Sequence, residues 1–259
     1  MSNLGICVAG VTGWTGGAVA EAVAAADDLQ LRAGVSRSAA GREVHRAPVY
    51  ASVAEALDGI DVLVDYTSHD AVKANALTAI ERGVAVVIGT SGLTADDFAE
   101  LDDAARGRGV GVIASGNFSL TAAMASAGAL LAARHLPSWE VIDYASAGKP
   151  DAPSGTAREL AERLGQVHAP EIARSVEDTA GAREARGATI GGAQVHSLRL
   201  PSFVVSTEVV FGLPDERLSI RHDAGGTPAP YVAGTLLAAR RAPATIGLVR
   251  GLDTLLLSD

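Results

Sequence analysis

The first half of the chain alternates between two patterns of hydrophobic and polar residues. Short, continuously apolar runs are separated by stretches in which apolar residues recur at helical spacing. Continuous apolar runs are typical of strands that are buried on both faces of a parallel sheet. The predicted strands are GICVAGV, LRAGVS, DVLVDYT, VAVVIGT and VGVIASG, and the predicted helices are 16–26, 69–82 and 94–106. This alternation predicts βαβ units, and therefore an α/β doubly wound parallel sheet with helices on both faces.

A different pattern begins after Gly116. Partly alternating runs favour a mixed or antiparallel sheet in a second, smaller α+β domain that begins near Ser119. The elements predicted here are a helix over about 121–135, the segment WEVIDYAS, a helix after Ser154, a polar loop over 169–191, the strands AQVHSLRL, FVVSTEVVFG and ERLSIRHDA, and a helix over 231–240.

Three glycines, Gly10, Gly13 and Gly16, follow the first predicted strand and open the first predicted helix. The pyrophosphate of a dinucleotide binds at such a place, where a flexible backbone meets a helix N-terminus. Thr12 stands where the commoner G-x-G-x-x-G spacing has its second glycine, and a plain tight turn is the alternative in a chain with 29 glycines. In this context the motif predicts a Rossmann-like dinucleotide-binding domain.

The end of the second predicted strand indicates which dinucleotide is bound. An acidic residue here would bind the ribose 2′-hydroxyl of NAD. The sequence has Ser36 and Arg37 instead, and a hydroxyl beside a guanidinium suits the 2′-phosphate of NADPH. NADPH is therefore the predicted cofactor and NADH the alternative, unless Arg37 is simply a solvated side chain. Loops 65–67 and 89–92 follow two further strands and are expected to border the nicotinamide half.

A lysine precedes a helix entry in the segment YASAGKPDAPSGTARELAERLG, residues 144–165. Pro153, Ser154 and Gly155 suit the first residues of a helix, with a fixed φ, a capping hydroxyl and a flexible backbone. The first N–H groups of a helix lack internal partners and lie at its positive end, so they can bind a carboxylate or phosphate. Lys149 would reinforce that anion site or supply a proton. From these residues alone, a surface loop that caps a helix is the favoured interpretation.

Composition narrows the class of protein. The 259-residue chain is 48% hydrophobic and carries a net charge of −9 without a basic cluster, which argues against a nucleic-acid or membrane-surface partner. Cys7 is the single cysteine and lies in an apolar run, so no disulfide framework is expected. No metal site is predicted. Because the sequence has neither a signal-peptide pattern nor an apolar stretch that could span a bilayer, a cytoplasmic protein is expected.

Five segments together resemble the dihydrodipicolinate reductase family, also called 4-hydroxy-tetrahydrodipicolinate reductase, of bacterial lysine biosynthesis. They are VAGVTGWTGG, DVLVDYTS, VVIGTSGLT, IASGNFSLTAAM and, most specifically, KPDAPSGTA, in family order over nearly the whole chain. The resemblance implies a dinucleotide-binding domain, residues 1–119 and 224–259, with an inserted substrate-binding and tetramerisation domain, residues 120–223. It also implies a homotetramer, and hydride transfer to a cyclic, carboxylate-bearing imine or enamine in lysine and diaminopimelate synthesis.

The resemblance implies roles for individual residues as well. Lys149 would be the proton donor. Ser154, Gly155 and Thr156 would form the substrate-binding turn, in which the last two present backbone N–H groups to a carboxylate. Besides Ser36 and Arg37, the residues implied to bind the cofactor are Gly10, Val11, Thr12, Gly13, Trp14 and Thr15 at the pyrophosphate, and Gly89, Thr90, Ser91, Ser115, Gly116, Asn117 and Phe118 at the nicotinamide ribose and ring.

The sequence departs from the family just before the lysine. Family members carry a His-His pair with acid/base and carboxylate-binding roles, where this chain has Ala145 and Ser146. His196 and His222 could fold back to the site, although core or surface roles are favoured for both. Three hypotheses follow: the lysine-pathway reductase itself, a diverged reductase of another carboxylate-bearing imine or enamine, and a catalytically silent NAD(P)-sensing regulator. The retained Lys149 and the complete DAPSGT turn disfavour the regulator.

Overall fold

The computed structural model describes residues 3–258 as two compact units. Unit 1 comprises the described residues up to Leu120 and from Pro228 onward, and unit 2 comprises Thr121–Thr227. The strands are β1 (Leu4–Ala9), β2 (Leu29–Val35), β3 (Glu43–Val44), β4 (Ala47–Tyr50), β5 (Val62–Asp65), β6 (Ala85–Ile88), β7 (Gly111–Ala114), β8 (Ser138–Ala145), β9 (Ala188–Ile190), β10 (Ala193–Arg199), β11 (Val205–Leu213), β12 (Glu216–Asp223) and β13 (Gly247–Arg250). The α-helices are α1 (Trp14–Ala25), α2 (Val53–Ala56), α3 (His69–Glu81), α4 (Ala95–Arg108), α5 (Leu120–Ala133), α6 (Gly155–Val167), α7 (Ala229–Arg241) and α8 (Leu252–Leu256). Within residues 3–258, no helix has both the length and the apolar character needed to cross a membrane.

Unit 1 contains an eight-stranded sheet in the order β13-β7-β6-β5-β1-β2-β4-β3. Its strand pairs are parallel except for the edge pair of β3 and β4. Every residue of β5, β6 and β7 is buried, as expected for strands that are covered on both faces. The predicted Rossmann-like parallel sheet is therefore confirmed.

Helix α4 shows how the local sequence sets the ends of an element. The hydroxyl of Thr94 accepts a hydrogen bond from the backbone N–H of Asp97, and the Asp97 carboxylate accepts one from the backbone N–H of Thr94. This reciprocal capping box fixes the start of the helix. At the other end, Gly109 adopts a left-handed backbone with φ of 67°, which favours glycine. The helix predicted over 94–106 is confirmed.

Unit 2 contains a five-stranded sheet in the order β12-β11-β8-β10-β9. Strand β8 is parallel to β10 and antiparallel to β11, so the predicted mixed sheet is confirmed. Buried and half-buried residues alternate along β8. The buried residues Trp139 and Val141 pack in one core with residues of α5 and α6, while Glu140, Ile142 and Tyr144 lie on the other face.

The short edge elements differ from the predictions. The polar loop expected over 169–191 is wrong in part, because it contains a 3-10 helix, Arg183–Arg186, and the edge strand β9. Strands β3 and β4, at the edge of the first sheet, are absent from the predicted elements. These elements of two to four residues are partly exposed and lack the continuous apolar runs that predicted β5, β6 and β7, so their pairings are decided by the neighbouring strand.

Candidate functional sites in the two units

The glycine loop of unit 1 connects β1 to α1 and has two positions that have no room for a side chain. Gly10 has a φ of 80°, and a Cβ atom there would overlap the carbonyl oxygen of Tyr66. A Cβ atom on Gly16 would overlap the carbonyl oxygen of Gly10, so the helix start packs directly on the loop. Gly13 is the N-cap of α1 and provides no side-chain cap. This cradle fits a pyrophosphate, which binds uncapped helix N–H groups.

Three hydroxyl groups join this loop to the end of β2. Thr12 Oγ1 lies 2.9 Å from Ser36 Oγ, and Ser36 Oγ lies 3.2 Å from Ser38 Oγ. Arg37 lies between the two serines in the sequence and is exposed. The sequence identified Ser36 and Arg37 but not the contributions of Thr12 and Ser38 to this cluster. Three clustered hydroxyls, with an exposed arginine in the same segment, suit a phosphate.

A buried carboxylate holds the loops that follow β5 and β6. Asp65 is fully buried, and its Oδ1 accepts hydrogen bonds from the backbone N–H and hydroxyl of Thr67 and from the hydroxyl of Thr90, at 2.9, 2.6 and 2.9 Å. Its Oδ2 accepts one from Asn75 at 2.9 Å. The Thr90 hydroxyl, a candidate cofactor contact, is therefore bound to Asp65. The sequence placed Thr67 and Thr90 in two loops expected to border the nicotinamide half, but it did not identify Asp65 as their common acceptor.

The candidate residues Ser115 to Phe118 form a tight buried loop after β7. The Ser115 hydroxyl donates to the carbonyl of Asn117 at 2.9 Å, and the Asn117 side-chain oxygen accepts from the backbone N–H of Ser119 at 2.9 Å. The Phe118 ring is almost completely buried and contacts Tyr66 edge to face, with ring centroids 6.4 Å apart. These side chains shape the loop itself.

An aromatic pair flanks the start of α1. The rings of Trp14 and Tyr231 meet edge to face, with centroids 6.0 Å apart. Trp14 is 54% exposed, whereas Tyr231 is buried, and burial raises the pKa of the Tyr231 phenol. Trp14 therefore offers an accessible apolar surface at the first residue of the helix.

The lysine turn of unit 2, residues 149–156, leads directly into α6. Lys149 Nζ lies 2.8 Å from Asp151 Oδ1, and the two side chains are 26% and 34% exposed. Ser154 is the N-cap of α6, and its hydroxyl accepts from the backbone N–H of Ala157 at 3.3 Å. The predicted helix entry is thus confirmed, with Gly155 as its first residue.

Ala145 and Ser146, the positions of the family's histidine pair, lie at and just after the end of β8, whereas His196 and His222 lie on β10 and β12. Ala145 is fully buried at the end of β8, and Ser146 is half-buried. The ring of His196 binds Glu140 near the start of β8, at 2.8 Å. The His222 ring lies 3.1 Å from the Thr121 hydroxyl, and burial lowers the His222 pKa. His196 and His222 therefore engage structural partners of their own.

Comparisons with known proteins decide the family. Two family models, described as the N-terminus and the C-terminus of dihydrodipicolinate reductase, match residues 4–118 and 117–256. This chain belongs to the dihydrodipicolinate reductase family. It is accordingly a reductase that depends on a nicotinamide cofactor.

Named relatives cover the chain from end to end. A 4-hydroxy-tetrahydrodipicolinate reductase from Synechococcus elongatus is 34% identical, over 97% of this chain and 98% of its own. One from Moorella thermoacetica is also 34% identical, over 99% of each chain. The solved dipicolinate-bound dihydrodipicolinate reductase from Paenisporosarcina sp. TG-14 has a TM-score of 0.76 and 25% identity, over 98% of this chain and 99% of its own.

Proposed function

We propose that this member of the dihydrodipicolinate reductase family reduces a cyclic imine or enamine that carries a carboxylate, with NADPH as the preferred hydride donor. The lead assignment is the lysine and diaminopimelate pathway reaction for which its relatives are named. The observation that carries the proposal is the lysine turn of unit 2, where the ammonium of Lys149 precedes the N-terminus of α6. A helix N-terminus and a cation in one short segment suit a carboxylate substrate.

The dinucleotide is assigned to unit 1. Residues Gly10 to Thr15 would hold the pyrophosphate, and Ser36 and Arg37, with Thr12 and Ser38, would hold a 2′-phosphate. Gly89, Thr90, Ser91 and the loop 115–118 would border the nicotinamide ribose and ring. The bound cofactor supplies the hydride, and these residues orient it and exclude water.

The substrate is assigned to unit 2. The backbone N–H groups of Gly155 and Thr156 would donate to a substrate carboxylate, supported by the dipole of α6. Lys149 Nζ would donate a proton to the substrate atom on which electron density builds during hydride transfer. Asp151, at 2.8 Å, orients the ammonium before the substrate binds.

A second candidate substrate has one carboxylate instead of two. Ala145 and Ser146 supply no positive charge, and Ala145 is fully buried. The Asp151 carboxylate also offsets the charge of Lys149. A second substrate carboxylate would therefore lack a cationic partner in this segment, so a monocarboxylate imine would suit it better.

We further propose that the protein is a homotetramer in the cytoplasm. One face of the unit 2 sheet is covered by α5 and α6, and the other carries Ile142 among polar residues. Ile142 lies in register between His196 on β10 and Glu208 on β11. A second copy of the chain would cover this face.

Activity against a substrate panel tests the proposal. NADPH oxidation is measured with the precursor of tetrahydrodipicolinate and with cyclic imines that carry one carboxylate or none. Turnover of carboxylate-bearing imines supports the assignment. The substrate with the highest kcat/KM distinguishes the lysine-pathway reaction from reduction of an imine with one carboxylate. Absence of turnover with every carboxylate-bearing imine would contradict the proposal and favour the regulator.

A further inference from the structure

A second buried carboxylate, Asp143 on β8, underlies the lysine turn. It is fully buried and accepts four hydrogen bonds. Two come from Ser154, from the backbone N–H at 2.9 Å and the hydroxyl at 2.6 Å. The others come from the Ser197 hydroxyl at 3.1 Å and from Arg199 Nη2 at 2.8 Å. Asp143 thus fixes both the backbone and the side chain of the residue that caps α6.

Arg199 extends this contact to the other end of the turn. Its Nη2 also donates to the backbone carbonyl of Asp151 at 2.6 Å. Asp151 is the residue whose carboxylate pairs with Lys149. The Arg199 guanidinium therefore connects the buried Asp143 carboxylate with the backbone of Asp151, the residue that pairs with Lys149.

The chemistry of the pair points to positioning rather than to stability. Replacing a buried ion pair with well-packed apolar residues is often neutral or stabilising, so such a pair is weak evidence for a stabilising role. The same face of the sheet has a core of apolar residues such as Val141 and Val209. Asp143 and Arg199 are polar exceptions, and their hydrogen bonds converge on residues 151 and 154.

We propose that Asp143 and Arg199 are positioning residues that set the geometry of the anion-binding turn. They act through Ser154 and Asp151 and do not touch the substrate. This inference rests on the proposed function, because it assigns the turn a substrate carboxylate. Its consequence is that loss of either residue weakens substrate binding selectively, since the helix N–H groups and Lys149 no longer hold their relative positions.

The test uses Asp143→Asn and Arg199→Lys in the full-length protein. The amide of Asp143→Asn keeps the shape but removes the charge, and the lysine of Arg199→Lys keeps the charge but cannot reproduce the guanidinium geometry. Asp178→Asn is the matched control, because it makes the same chemical change at an exposed carboxylate of unit 2, which accepts a hydrogen bond from the Ser175 hydroxyl instead. For each protein, kcat, substrate KM, the Kd of dipicolinate and the Kd of NADPH are measured.

Both variants are expected to raise the KM and the dipicolinate Kd by tenfold or more, with the NADPH Kd within twofold of the unaltered protein. Asp178→Asn is expected to leave all four quantities within twofold. A purely structural role would lower the active fraction, and so kcat, without raising KM. If Asp143→Asn does not fold, Arg199→Lys decides alone. Unchanged KM and dipicolinate Kd in the folded variants would overturn the inference.

Amide hydrogen exchange over residues 151–157 separates this inference from the proposed function, because it needs no substrate. Faster exchange in both variants, with Asp178→Asn unchanged, is expected. If the unaltered protein neither binds dipicolinate nor reduces any imine while exchange still responds, the proposed function fails and the positioning role stands. Exchange that is unchanged in both variants would overturn the positioning role itself.

Discussion

The hydroxyl oxygens of Thr12 and Ser36 lie 2.9 Å apart, which links the glycine loop to the end of β2. Thr12 belongs to the segment that would bind the pyrophosphate, and Ser36 belongs to the segment that would bind a 2′-phosphate. The contact therefore couples two regions of the candidate cofactor site. Discrimination between NADPH and NADH is expected to depend on both segments.

The charge of Arg37 is expected to set the cofactor preference. Fluorescence titration should give a lower Kd for NADPH than for NADH, because the guanidinium and neighbouring hydroxyls favour the 2′-phosphate. Arg37→Asp should reverse the preference, and the same substitution at exposed Arg42 is the control. Equal affinities in the unaltered protein, or tighter NADH, would contradict the assignment.

The buried thiol of Cys7 is expected to make the protein less stable at alkaline pH. Burial, with a smaller effect of the Asp65 charge, raises the Cys7 pKa from 9.0 to about 12. Above pH 9 the unfolded thiol ionises while the folded thiol stays protonated, so stability falls between these values, by at most about 1.4 kcal/mol per pH unit.

Urea unfolding of Cys7→Ala and the unaltered protein tests this effect. The difference in unfolding free energy between the two should shift in favour of Cys7→Ala as the pH rises from 8 to about 11. The native thiol should also resist alkylation until the protein unfolds. A difference that is independent of pH would show that ionisation of Cys7 is not linked to folding.

The sequence predicted the parts of the fold that have long or strongly patterned signals. Continuous apolar runs predicted the central strands of unit 1, and Thr94 and the Ser154-Gly155 pair predicted two helix starts. The contacts of Asp65 with Thr90 and of Asp143 with Arg199 could not be predicted, because each joins residues that are distant in the sequence. Thr90 is 25 residues from Asp65, and Arg199 is 56 residues from Asp143. Such pairings are decided by strand order and register, which periodicity alone does not give.

The face of the unit 2 sheet that carries Ile142 is expected to mediate self-association. Light scattering at micromolar concentration should report four times the chain mass of 26.2 kDa. Ile142→Glu should dissociate the assembly, because it places a charge at the centre of the proposed interface. The control is Ile246→Glu, at a 64% exposed residue of unit 1. A stable monomer of the unaltered protein would refute the tetramer.

Restoring one imidazole before Lys149 is expected to improve binding of a dicarboxylate. Ser146→His should lower the KM for the lysine-pathway substrate by about threefold to tenfold, and more at pH 6 than at pH 8, because protonated imidazole is the binding form. Ser146 is half-buried, whereas Ala145 is fully buried and has less room for a ring. Ala147→His, at the exposed neighbour, is the control. An unchanged KM would show that this position does not contact the second carboxylate.

The most direct test of the account is the turnover of Lys149→Met. The chain has two lysines, so Lys73→Met, which breaks the ion pairs with Asp97 and Glu100, is a matched control. Loss of the proton donor should lower kcat by about 10²-fold or more, with an unchanged NADPH Kd, while Lys73→Met retains kcat. Full activity of Lys149→Met would contradict the account and move the chemistry to another group, such as the Tyr144 hydroxyl, which now donates to Glu208 at 3.0 Å.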